Sequence, residues 1–144
     1  MKKVTVLFTC VLLLVSCKSK ENNNQENNTL LKSEELKTIR GTVVDKKGKK
    51  IAYAAVKLYL DDDDCMNAYT NDDGYFEFKL DELRIKDQSH FEVVFKGYAI
   101  TLLSLRNFVD NKPIILSKKG EVVSTADYHV FYESIKSCGR KKSS

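Results

Sequence analysis

From Ile39 onward, apolar and polar positions alternate with a period of two. Ile39, Gly41, Val43 and Asp45 fall on one face, and Arg40, Thr42 and Val44 on the other. This is the pattern of a strand with one side buried. Lys46-Lys47-Gly48-Lys49 supplies a turn. A second strand is expected to put Ala52, Ala54, Val56, Leu58 and Leu60 on one face, with Ala55, Lys57 and Tyr59 on the other. The adjacent carboxylates Asp61 to Asp64 repel one another and end it. A short strand at Ala68 to Thr70 runs into Asn71-Asp72-Asp73-Gly74, a strong turn signal. Phe76, Phe78 and Leu80 then alternate with Tyr75, Glu77 and Lys79. Asp81 to Ser89 is mostly polar and is expected to hold one helical turn that buries Leu83. Phe91, Val93 and Phe95 form another inward face, and Ile100 to Leu105 and Ile114 to Leu116 are further apolar runs. Pro113 suits only a strand start. Short strands about every ten residues, with glycine at the turns, predict an all-β fold, an antiparallel sandwich.

The end of the chain has a different period. Ser124-Thr125-Ala126-Asp127 has the spacing of a capping box. Tyr128, Phe131, Tyr132, Ile135 and Cys138 then recur at helical intervals, and Gly139 follows in the position of a C-cap. A short amphipathic helix docked on the sandwich is expected. A strand at Tyr128 to Tyr132 is the alternative, given the β-propensity of those residues. Tyr53, Tyr59, Tyr69 and Tyr75 are expected to share an outer sheet face, covered by that helix or free to stack on sugars or a protein partner.

The beginning of the chain has no alternation. Lys2 and Lys3 precede an apolar run from Val4 to Val15, followed by Ser16 and Cys17. A positive start, a short apolar stretch and a small residue are the parts of a signal peptide. The run of about twelve residues is too short to span a bilayer, which takes about 20. With cysteine just after the cleavage point, Leu14-Val15-Ser16-Cys17 resembles the lipobox of bacterial lipoproteins. The resemblance implies that residues 1–16 are removed and that Cys17 carries acyl chains which hold the protein at a membrane. Residues 17–36 contain Lys-Ser-Lys-Glu-Asn-Asn-Asn-Gln-Glu-Asn-Asn-Thr and are expected to be a flexible tether, because such a composition buries too little surface to offset its ordering entropy. Lys18 follows the cysteine, which by resemblance to enterobacterial sorting rules implies the outer membrane, on its periplasmic or surface face.

About 128 of the 144 residues remain after cleavage, one domain's length. The formal net charge of +4 falls to about +2 once Lys2 and Lys3 are lost, too balanced to indicate nucleic acid. Of the four cysteines, Cys10 is discarded with the leader and Cys17 is the lipidation site. Cys65 and Cys138 are left as a candidate disulfide. A bridge between them would close a loop of about 72 residues and stabilise the fold by on the order of 4 kcal/mol. Two free thiols, or pairing between chains, are the alternatives.

Residues 37–118 carry a second resemblance. Ile39-x-Gly41-x-Val43-x-Asp45, Gly48, Ile51, Ala54-x-Val56, Thr70-x-x-Asp73-Gly74-x-Phe76-x-Phe78 and Gly97-Tyr98 resemble, in order and spacing, the carboxypeptidase regulatory-like domain, also called peptidase-associated. The resemblance implies a transthyretin-like β-sandwich of about seven strands, with residues 119–144 as a C-terminal extension. The family pattern usually has proline where this chain has Lys50 and glycine where it has Tyr53. The matched positions are structural, so the resemblance implies a fold and no activity.

Candidate chemistry is sparse. The two histidines, His90 and His129, fall in different predicted elements, and no nucleophile elbow, P-loop or H-E-x-x-H occurs. Zinc is not expected, since no C-x-x-C spacing exists. Asp61 to Asp64 and Asn71 to Asp73 offer hard oxygens for calcium, but an EF-hand register centred on Gly74 would place Tyr69 and Leu80 at ligand positions. No catalytic residue, metal or cofactor is therefore assigned. The expectation is a non-catalytic, membrane-anchored envelope lipoprotein that binds or scaffolds an envelope protein or glycan. An inhibitor or immunity-type lipoprotein that blocks a secreted effector is the alternative, with an enzyme of unrecognised type behind it.

Overall fold

A computed structural model describes residues 36–139. The leader, Cys17 and nearly all of the expected tether lie outside that range. The described chain forms seven strands: β1 (Lys37–Asp45), β2 (Ala55–Tyr59), β3 (Cys65–Tyr69), β4 (Tyr75–Leu80), β5 (His90–Val94), β6 (Thr101–Ser104) and β7 (Ile114–Leu116). One α-helix, α1 (Thr125–Ser134), follows them, and 3-10 turns occupy Glu82–Arg84, Leu105–Asn107 and Ile135–Ser137. The strands make two sheets, ordered β4-β1-β7 and β3-β2-β5-β6.

The period-two pattern decides what lies between the sheets. Ile39, Val43, Phe76, Phe78, Ile114 and Leu116 from the first sheet meet Val56, Leu58, Phe91 and Val93 from the second in one buried cluster. Phe91 bridges the sheets, its ring 5.9 Å from Phe76 and 6.0 Å from Phe78. Each such side chain contributes roughly 1.5–3 kcal/mol on burial. Gly41 makes room for this packing, since a Cβ there would lie 2.6 Å from the Phe76 ring.

The expectation of an antiparallel sandwich needs one correction. β7 runs parallel to β1, pairing Val43 with Ile114 and Asp45 with Leu116. β4 pairs with β1 only from Lys37 to Thr42. On that side the end of β1 is bonded by Gly74 and by the returning Lys49–Ile51 segment, and β7 takes the opposite edge of β1 after the chain crosses from the other sheet.

Three local expectations are also corrected. The second strand begins at Ala55 rather than Ala52, because the chain turns at Tyr53, whose φ is 60°. The Thr70 hydroxyl secures that turn by donating to the Ile51 carbonyl at 2.7 Å and accepting from the Ala54 N–H at 2.8 Å. The strand expected at Ala68 to Thr70 instead starts at Cys65, where Leu60 N–H bonds the Asp64 carbonyl to close a tight hairpin. Leu83 is 80% exposed on its 3-10 turn, and Ile85 is the residue that packs against the core. A three-residue turn has no second turn to set its buried side, so the neighbouring strands decide.

The terminal element is a helix, not a strand at Tyr128 to Tyr132. The Ser124 hydroxyl accepts from the Asp127 N–H at 3.1 Å and donates to the Asp127 carboxylate at 2.6 Å, which satisfies an N-terminal donor that would otherwise be open. Gly139, at φ 81°, ends it.

Candidate functional site

The strongest candidate surface is the outer face of the four-stranded sheet. The strand registers place on it Cys65, Asn67 and Tyr69 from β3, Ala55, Lys57 and Tyr59 from β2, His90, Glu92 and Val94 from β5, and Leu102 and Ser104 from β6. One end is covered and the other is open.

The C-terminal helix and its closing turn cover one end. Ile135 and Cys138 pack on Ala55, with Cys65, Tyr69, Tyr128, Phe131 and Tyr132 around them. Ala55 is therefore fully buried although it points away from the central core. Cys65 and Cys138 form a disulfide, with Sγ–Sγ 2.11 Å and Cα atoms 5.0 Å apart. The Tyr69 hydroxyl donates to the Tyr132 carbonyl at 2.7 Å, and the two rings lie 4.1 Å apart. The Tyr128 hydroxyl donates to the carbonyl of Tyr53. Desolvation, reinforced by Tyr132 and Tyr69, pushes Tyr128 up to about 12. Desolvation also raises Tyr69 above its ordinary value, with Tyr132 adding to it. Both stay protonated as donors near neutrality.

Polar groups on the open end bond to one another. The Lys57 ammonium sits 3.9 Å above the Tyr59 ring and donates to its hydroxyl at 2.7 Å, and that hydroxyl donates to Glu92 at 3.0 Å. The Tyr59 ring also stacks on His90, with centroids 4.8 Å apart. Beside this network, between the Ala99–Ile100 segment that leads into β6 and α1, lies a groove of about 690 Å³. Its walls include Val94, Ala99, Ile100, Val122, Val130 and Phe131, and Glu121 and Asp127 add carboxylates. Ile100, Leu102, Val122 and Val130 are 51%, 65%, 47% and 68% exposed. A second, smaller concavity gathers Lys46, Lys47, Lys118 and Lys119 around Tyr98 and Leu116.

The candidate residues fare differently. Cys17 lies outside the described residues. His90 is stacked on Tyr59, while His129 is an exposed residue of α1. The four tyrosines do not share one face, which corrects the expectation. Tyr69 is under the helix, Tyr59 is on the open end, Tyr53 is in a turn, and Tyr75 is on the other sheet bonded to Glu77 at 2.7 Å. The candidate calcium oxygens act in local structure. Asp64 binds Arg84 at 2.7 Å, Asp61 accepts from the Asp63 and Asp64 N–H groups, and Asn71 accepts from those of Asp73 and Tyr75. Among the described residues no group of three or more His, Cys, Asp or Glu side chains could hold a metal ion. No helix among them is long and apolar enough to cross a membrane.

No protein-family model matches the chain, and neither a curated protein nor a solved structure gives a significant match. The exposed apolar wall of the groove was not anticipated from the sequence. Its signal was present in the uncharged run Gly97 to Leu105, but an uncharged strand is equally compatible with a central position in the sheet.

Proposed function

We propose that this chain is a non-catalytic lipoprotein of the bacterial cell envelope. Cys17 carries the lipid anchor, in the outer membrane, and a transthyretin-like body of the carboxypeptidase regulatory-like kind binds or scaffolds an envelope protein or glycan. The observation that carries the binding role is the groove between the Ala99–Ile100 segment and α1. There Ile100, Val122 and Val130 form an exposed apolar wall that an incoming partner would meet, flanked by the Glu121 and Asp127 carboxylates. Exposed apolar side chains gathered beside a rigid, cross-linked element are a common mark of an interaction site. The anchoring role is supported by the order Lys2-Lys3, apolar run, Ser16, Cys17.

Two measurements test this. Wild-type protein should fractionate with membranes and yield an acylated N-terminal Cys17 by mass spectrometry, and Cys17→Ser should be released. A photo-crosslinker placed at Val130 in intact cells should capture one discrete envelope component, and Ile100→Asp should abolish that product. An unmodified or differently placed mature N-terminus sinks the anchor, and crosslinks indifferent to Ile100→Asp sink the groove.

A further inference from the structure

Neighbouring strands that run parallel leave their sheet at the same end, so whatever follows each of them is brought together. β1 and β7 are such a pair, with Asp45 level with Leu116. Lys46-Lys47 follows β1, and Ser117-Lys118-Lys119 follows β7. The Ala99 N–H donates to the Ser117 carbonyl at 2.8 Å, which sets Tyr98 beside them. The result is a concavity of about 370 Å³ walled by Lys46, Lys47, Lys118 and Lys119, with Tyr98 and Leu116. An antiparallel β7 would have sent its two lysines to the opposite end of the sheet.

The charge of this concavity is one-sided. All four lysines are exposed, and among the described residues none of them pairs with a carboxylate. Asp45 is the one acid in the lining. One of its carboxylate oxygens accepts the Lys47 and Lys49 N–H groups at 2.8 and 2.9 Å and is committed to closing its own turn. Of the acids nearby, Asp73 pairs with Lys50 at 3.4 Å, and Glu121 lines the apolar groove instead. The Lys118 ammonium lies 5.2 Å from the centre of the Tyr98 ring, drawn to its negative face. Like charges gathered this way repel, and dissolved salt screens the repulsion without placing a countercharge among them.

We propose that this concavity is a binding site for a phosphate group, free or esterified to a small polar molecule such as a sugar. It is separate from the apolar groove and does not depend on that groove having a partner. Four cations against one carboxylate call for an anion of more than one charge. A phosphate monoester supplies about −1.5 to −2 near neutrality, with three acceptor oxygens. The residue type agrees with that choice. The planar fork of arginine matches a carboxylate, whereas a lysine ammonium is a compact point charge with three rotatable donors. Several ammoniums can therefore converge on one tetrahedral oxyanion from different sides. The volume falls within the range of about 300–1,000 Å³ usual for small-molecule sites. The half-buried Tyr98 gives the carrier of the phosphate a face to lie against.

Nitrogen-15 NMR titration of the full chain in a non-ionic detergent tests this, with ionic strength held constant by sodium chloride. The probes are inorganic phosphate, glucose 6-phosphate and, as a sugar with a single carboxylate, gluconate. A phosphate probe should shift the amides of residues 45–48 and 117–120 saturably, and the tighter of the two names the source as free or esterified. Gluconate should bind more weakly than either. Lys47→Ala/Lys118→Ala should raise the dissociation constant roughly tenfold, as expected for losing two charge-assisted contacts. Lys49→Ala removes an exposed lysine of the same turn that does not line the concavity, and it should leave binding within about twofold of wild type. The substituted side chains are exposed, so the spectra of β2 and β5 should stay unchanged and report an intact fold. Four results overturn the proposal: phosphate shifts no larger than those of chloride, shifts spread equally over lysines elsewhere, gluconate binding as tightly as glucose 6-phosphate, or a double variant no weaker than Lys49→Ala.

Discussion

Cys138 is bonded to Cys65 across 73 positions of sequence, and this link holds the helical end of the chain on the outer face of β3. The residues beneath it form a small cluster with Ala55 and Ile135, separate from the core between the sheets. The bond and the core can therefore fail separately. The Cys65→Ala/Cys138→Ala variant should lose up to about 4 kcal/mol, the entropy of closing a loop of that length. Hydrogen exchange should locate the loss, with amides of Thr125–Ser134 losing protection while those of β2 and β5 keep theirs. Uniform loss across both sheets would show that the two clusters fold as one.

Thr70 tests the turn between Ile51 and Ala54. It is 1% exposed, and its hydroxyl serves a donor and an acceptor that have no other partner within the turn. Thr70→Val keeps the shape and strands both groups, each costing about 1–3 kcal/mol when buried. A total loss near 3 kcal/mol in urea unfolding is expected, against less than about 1 kcal/mol for Thr70→Ser. Equal effects would mean that the methyl group, and not the hydroxyl, matters here.

Gly74 and Gly48 separate backbone strain from steric contact. Both have positive φ, 70° and 79°. A Cβ on Gly74 would lie 2.6 Å from the Val43 carbonyl oxygen, whereas Gly48 has nothing within 4 Å. Gly48→Ala should cost about 1 kcal/mol, the penalty of the left-handed region alone. Gly74→Ala should cost at least about 1 kcal/mol more, since β1 must shift to admit the methyl group. Thermal denaturation of the two variants side by side checks the order.

The tyrosines under the helix make stability sensitive to alkali. Their phenols ionise from 10.0 in the unfolded chain, while burial raises Tyr69 and lifts Tyr128 to about 12 in the fold. The folded state thus disfavours the phenolate. The stabilisation is complete below pH 10 and is lost as pH climbs toward 12. Tyr128→Phe should flatten the decline in melting temperature over that window while lowering stability near neutrality, because the Tyr53 carbonyl loses its donor. A decline as steep as wild type would place the alkaline sensitivity elsewhere.

Much of the architecture was legible from alternation. The inward faces of β1, β4 and β5 were marked by Ile39 and Val43, Phe76 and Phe78, and Phe91 and Val93, since a strand with one wet side must repeat every second residue. The helix was legible from Ser124 and Asp127, because capping is local chemistry. Leu83 was misplaced because a single 3-10 turn carries no periodicity. Tyr53 was misplaced because a tyrosine at positive φ is rare, and the glycine that the resembled pattern has there was the one hint of a turn. The candidate groove was not legible, because it is made of residues from β5, the Ala99–Ile100 segment, the Glu121–Val123 segment and α1, which only the fold brings together.

Side-chain chemistry within a few residues was enough to count the strands, to assign most of their buried sides and to mark the helical end. Which strands are neighbours, that β7 lies parallel to β1, that the tyrosines separate and that an uncharged β6 stands at an edge emerge from the folded chain alone. Strand pairing runs through backbone N–H and carbonyl groups that every residue shares, so side-chain pattern can say which face is dry without saying who lies alongside.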